Sequence, residues 1–156
     1  MIVKRRDFVP LLGAAIASVP ASFVYAAADP WPADRLMEAA TLVGMLRDGQ
    51  RLAVIFVGFP VLYRQKHIPH APMAGPASKP EGLELLKGAV EKLPKDTLIV
   101  LYCGCCPMAE CPNIRPAYQV LTKRGYTNVS VLNLPKNFHS DWEGKGYPVE
   151  LGSGAA

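Results

Sequence analysis

An α/β domain built on a central, mostly parallel sheet with helices on both faces is the fold the sequence predicts, and three observations predict it. Segments with helical spacing of apolar residues alternate with short continuous apolar runs, which is the pattern of a parallel sheet covered on both sides. The runs are rich in β-branched residues, as strands buried on both faces are. At 156 residues the chain is long enough for one domain with a real core and too short for two ordinary ones.

The elements follow in order. Leu36, Ala39, Ala40, Val43 and Leu46 recur at helical spacing, and Arg47-Asp48-Gly49 supplies the stop, so a first helix is expected from Leu36. Leu52 to Val57 is an unbroken apolar run bounded by Gly58 and Pro60, which predicts a central strand. From Pro69 to Pro80 prolines recur without periodicity, marking an irregular surface crossing. A second helix begins near Glu81, with Leu83, Leu86, Val90 and Leu93 on its apolar face and Pro94 beyond it. Leu98 to Tyr102 repeats the buried-strand signature. After a cysteine-rich loop, Pro116 suits a first helical position, and that helix runs to Arg124 with Gly125 as its stop. Asn128 to Leu132 is a last strand, with Val129 to Leu132 in the sheet, and about twenty-four irregular residues follow.

The N-terminus reads differently. Lys4-Arg5-Arg6-Asp7-Phe8 leads into an apolar stretch from Val9 to Val24 and then Tyr25-Ala26-Ala27-Ala28, which is a basic start, a hydrophobic middle and a small-residue cleavage site. The adjacent arginines resemble a twin-arginine export signal. Pro10, Ser18, Pro20 and Ser22 interrupt the run, so stable membrane insertion is not expected. The expected organisation is a cleaved export signal at 1–28, one domain at 29–150 and a flexible tail at 151–156, with the mature protein in the periplasm. Removal of Lys4, Arg5, Arg6 and Asp7 lowers the net charge from +4 to +2. The remaining chain has no Lys/Arg cluster with interleaved aromatics, which excludes nucleic acid as the expected partner.

All four cysteines lie in Cys103-Gly-Cys105-Cys106-Pro-Met-Ala-Glu-Cys111, between a strand and a helix. Backbone N–H groups at a strand end and a positive helix terminus stabilise a thiolate, the reactive form of cysteine. Several chemistries fit the spacing. Cys103-Gly-Cys-Cys106 is a Cys-x-x-Cys, which suits thiol–disulfide exchange, although too little regular structure follows it for a thioredoxin fold. Four clustered thiolates also suit zinc or a soft copper ion, but no metal or other cofactor is the leading expectation. A disulfide from Cys105 or Cys106 to Cys111 would staple the loop, whereas a bridge between adjacent Cys105 and Cys106 would be strained. Of the histidines, His70 and His139 could complete a metal site, but none is assigned as a ligand.

The sequence resembles the rhodanese-like domain family. Tyr63-Arg-Gln-Lys-His67-Ile-Pro69 resembles the family's segment after the first buried strand, and Leu98-Ile-Val-Leu-Tyr-Cys103 its strand leading to the catalytic cysteine. Leu121-Thr-Lys-Arg-Gly125-Tyr126-Thr-Asn-Val129 is similar to the next helix end and strand, and Asp141-Trp142 with Gly146-Tyr147-Pro148-Val149 to the family's closing segment. Three features depart from the pattern. Phe56-Val57-Gly58 stands where the family usually has Asp-Val-Arg, Lys66 stands where it has a glycine before His67, and the active loop is enlarged and carries three additional cysteines. The resemblance implies sulfane-sulfur transfer through a persulfide on Cys103, from a small donor such as thiosulfate to a thiol acceptor. Arg115 is the expected anion contact, because its planar fork suits an oxyanion. Cys105, Cys106 and Cys111 are expected to be redox or disulfide cysteines, His67 to serve packing or hydrogen bonding, and Trp142 with Tyr147 to cover the edge of the core.

Replacing Arg5 and Arg6 together by lysine is expected to strand the precursor inside the cell, scored as the ratio of precursor to mature protein in cell fractions. Unchanged export would exclude the twin-arginine route.

Overall fold

The computed structural model describes residues 31–152; the expected export signal and residues 153–156 lie outside the described residues. Four strands form one all-parallel sheet in the order β1-β4-β3-β2. They are β1 (Leu36–Glu38), β2 (Leu52–Phe56), β3 (Leu98–Tyr102) and β4 (Val129–Asn133). The helices are α1 (Ala39–Arg47), α2 (Pro60–Gln65), α3 (Pro80–Val90), α4 (Ile114–Lys123) and the single turn α5 (Phe138–Asp141). No helix among the described residues is long and apolar enough to cross a membrane.

The three expected strands are all present. Successive side chains on a strand point to opposite faces, and Ile99, Val100, Leu101 and Tyr102 are all buried, so β3 is covered on both sides. The same holds for Val129 to Leu132 in β4. Parallel pairing puts Phe56 beside Tyr102, and the Val57 N–H continues the ladder to the Tyr102 carbonyl at 2.9 Å.

Three local expectations are corrected. Leu36 to Glu38 is a short edge strand paired with Val131 to Asn133, and the first helix begins only at Ala39. The helical spacing of Leu36 was real but outweighed by ladder hydrogen bonds on the open side of β4. Pro116 is the third residue of α4 rather than its first, since the helix already starts at Ile114; its missing N–H falls within the first turn, where no intrahelical partner is needed. The segment after β4 is not irregular throughout. Asn137 caps α5 by accepting the Ser140 N–H at 2.8 Å, and Asp141 accepts the N–H groups of Lys136 at 2.6 Å and Asn137 at 3.1 Å. These bonds bend the chain into a compact turn beside the sheet.

Trp142 is fully buried rather than covering an edge, and its Nε1–H donates to the Pro148 carbonyl at 2.8 Å. The C-terminal segment is tied back by two backbone bonds between His67 and Glu150, of 2.9 Å and 2.8 Å. His67 stacks on Tyr63 at 3.8 Å between ring centroids and lies 3.0 Å by Nδ1 from the Tyr63 carbonyl, which is the expected packing role.

Leu101→Ala, at the covered centre of β3, is expected to cost about 2–5 kcal/mol of unfolding free energy in a denaturant titration. Leu85→Ala, on the exposed side of α3, should stay within about 0.5 kcal/mol of wild type in the same measurement.

Candidate functional site

The cysteine loop leaves the carboxyl end of β3, where open parallel sheets place their ligands. Two backbone bonds hold it to the segment after β4: Phe138 N–H to Gly104 O at 3.1 Å and Met108 N–H to Leu134 O at 3.0 Å. Gly104 has φ +82°, a left-handed conformation that costs glycine nothing. That turn folds Cys105 back toward Cys103. A short 3-10 turn over Met108–Glu110 then delivers Cys111 to the foot of α4.

The loop therefore brings together sulfurs that are spread over nine positions of sequence. Cys103 Sγ lies 3.3 Å from Cys105 Sγ, and Cys105 Sγ lies 3.2 Å from Cys106 Sγ and 4.0 Å from Cys111 Sγ. The sulfurs of Cys103, Cys105 and Cys111 are all within 4.8 Å of one another. Cys103 and Cys111 are buried, Cys105 is exposed and Cys106 is intermediate. All four are free, so the expected bridge to Cys111 is not formed. Cys111 faces inward among neighbouring sulfurs rather than being stapled to one of them.

The four thiols differ in charge preference. The Cys111 sulfur is held well below the ordinary thiol range by hydrogen bonds from Cys103 and Cys105, reinforced by the backbone N–H groups of Asn113 and Ile114. For Cys103 the bond with Cys105 favours ionisation, but the Cys111 sulfur and burial oppose it and carry the thiol up to about 12. Cys105 is pushed up by its bonds with Cys103 and Cys111, and Cys106 by burial and by Cys105. The thiolate-stabilising N–H groups at the start of α4 thus serve Cys111, whereas the strand-end position had pointed to Cys103.

Two residues shape the pocket around Cys103. A Cβ on Gly58 would sit 2.7 Å from the Cys103 sulfur, so only glycine leaves room for the thiol there. Gly58 occupies the position where the resembling family usually carries arginine, and its lack of a side chain is what admits the sulfur. Asn113 is fully buried. Its Oδ1 accepts the Ser78 N–H at 2.9 Å, which turns Nδ2 toward Cys103 Sγ at 3.5 Å. Sequence reading missed Asn113, because a single asparagine between a proline and an isoleucine carries no periodic or motif signal.

A cleft of about 210 Å³ opens over Cys103 and Cys105 and is lined also by Phe56, Lys66, Phe138, His139 and Glu143. The cation on its wall is Lys66, whose Nζ lies 2.7 Å from Glu143 Oε2. That ammonium holds the Glu143 carboxyl below its ordinary range. His139 Nδ1 lies 3.6 Å from the same carboxylate. Arg115 is not among the lining residues; its guanidinium lies over the Trp31 ring, 4.7 Å from the centroid. The metal-ligand geometry that the structure brings together consists of cysteines, without His70 or His139.

Solved structures share this architecture. The BH2092 protein from Bacillus halodurans is 21% identical, with a TM-score of 0.60 over 76% of this chain and 77% of that one. The Alr3790 protein from Anabaena sp. is 23% identical, with a TM-score of 0.57 over 74% of this chain and 91% of that one. The solution structure of the rhodanese-like domain from Alr3790 is 21% identical, with a TM-score of 0.55 over 78% and 87% respectively. No protein-family model and no curated protein matches the sequence. At these identities the likeness is one of fold: the chain has a rhodanese-like α/β fold, with a cysteine-rich loop at the sheet's carboxyl edge.

Asn113→Ala removes a fully buried amide together with its bonds to the Ser78 N–H and the Cys103 sulfur, and should destabilise the protein by about 1–3 kcal/mol, read from the shift in denaturant midpoint. A neutral result would mean that water replaces the amide.

Proposed function

We propose that this rhodanese-like domain handles sulfane sulfur through a persulfide on Cys103, in an exported, periplasmic protein. The observation that carries the reading is the place of Cys103: the end of a central strand, on the floor of a cleft with a cationic side chain on its wall. The fold supports a sulfurtransferase-like role. The Arg5-Arg6 pair and the weakly apolar stretch after it support export.

In the proposed reaction the Cys103 sulfur attacks the outer sulfur of a thiosulfate-like donor. A Cys103 S–S bond forms, the donor's own S–S bond breaks, and sulfite leaves with the electron pair. A thiol acceptor then takes the terminal sulfur, and Cys103 departs as the thiolate. Cys103 attacks as the thiolate, the form that its hydrogen bond with Cys105 favours, after its thiol proton has passed to solvent. Lys66 is the cation placed to meet the donor's sulfonate, and Glu143 is its partner in the absence of donor. Arg115, expected from sequence at the anion, lies over Trp31 and in this scheme supports the start of α4.

Incubation of the reduced protein with thiosulfate is expected to add the mass of one sulfur atom and release sulfite. Cys103→Ser should abolish both, and Cys106→Ser should preserve them. Lys66→Gln should raise the KM for thiosulfate more than it lowers kcat, with Arg115→Ala leaving KM near wild type. A protein that gains no sulfur, or a Cys103→Ser variant that still does, would defeat the proposal.

A further inference from the structure

We propose that Cys103, Cys105 and Cys111 form a three-sulfur site for a single copper(I) ion. The site is distinct from sulfur transfer in its ligand, though it shares Cys103 with it. A metal–sulfur bond of about 2.3 Å places the sulfurs of a trigonal or tetrahedral centre roughly 3.8–4.0 Å apart. The separations of 3.3 Å and 4.0 Å bracket that spacing, and all three sulfurs fall within 4.8 Å of one another. Small side-chain adjustments close the site around an ion.

The donor set selects the metal. Among the described residues the group is all sulfur, without an oxygen or imidazole ligand, and soft thiolates favour copper(I) over hard divalent ions. Structural zinc takes four ligands. Cys106, the remaining thiol, touches Cys105 at 3.2 Å but does not belong to the mutually close set. Three converging sulfurs without a fourth suit a trigonal copper(I) centre.

The backbone prepares the site before the ion arrives. Cys103 is fixed by the last ladder position of β3, Cys105 by the turn at Gly104, and Cys111 by the start of α4, so little ordering remains to oppose binding. Two ligands are buried and Cys105 is exposed on the cleft, which gives the ion a way in and out. The Asn113 amide beside Cys103 Sγ is a hydrogen-bond partner for the liganding sulfur, of the kind that orients metal ligands. Binding releases thiol protons to solvent and changes no oxidation state.

The test is an anaerobic titration of the reduced full chain with copper(I) held by a chromophoric chelator, followed by X-ray absorption of the loaded protein. The expected result is one copper per chain in a shell of three sulfurs, with Cys106→Ser matching wild type. Cys105→Ser should weaken binding by about 100-fold or more, at or beyond the upper end of what losing a partner of a ligand costs. Cys105 is exposed, so that variant tests the site without disturbing the core, and circular dichroism confirms its fold. Failure to withdraw copper from the chelator, a shell of other than three sulfurs, or equal losses in Cys105→Ser and Cys106→Ser would each overturn the proposal. Sulfur uptake from thiosulfate is measured separately on copper-free protein, so the two readings fail independently.

Discussion

The five-residue parallel pairing of β2 with β3 is the constraint from which the site follows. Because Leu52 to Phe56 lie in register with Leu98 to Tyr102, the two strands end together and their next residues leave the sheet side by side. Gly58 and Cys103 become neighbours for that reason, close enough that any side chain at 58 would strike the sulfur. A slip of one residue would send Cys103 to the opposite face of the sheet. The buried apolar runs that fix the register therefore also fix the direction of the thiol.

Around that point the molecule gathers polar groups in an otherwise apolar interior. Burying sulfur is inexpensive, since a free cysteine behaves as a small hydrophobe. Orienting it takes polar contacts: the Asn113 amide, anchored by Ser78, and the N–H groups at the start of α4. The enlarged loop is held at both shoulders by the segment after β4, through Gly104 and Met108. The cap of α5 thus matters to the site as well as to the fold, because Phe138 carries one of those bonds and lines the cleft.

Much of the architecture was legible because it rests on one-dimensional patterns. The strands at Leu52, Leu98 and Val129 are apolar runs whose burial requires little beyond their own composition. The attachment of Cys103 to the end of a buried strand was legible for the same reason. The edge strand at Leu36 was not, because three residues with a helical neighbour acquire strand geometry only from the partner β4 supplies. Lys66 and Glu143 were not either. They are separated by 77 positions and meet only when the closing segment folds over the cleft.

The sequence by itself determined the alternation of helices and buried strands, the single cysteine-rich loop and its attachment to the end of β3, since periodicity, composition and adjacency along the chain are local properties. Only the tertiary structure decided which sulfurs converge, that Cys111 rather than Cys103 receives the N–H groups of α4, and that Lys66 rather than Arg115 faces the cleft. The physical reason is that hydrogen bonds, charge preference and access depend on distances across the fold, and the fold sets those distances through strand register and loop anchoring.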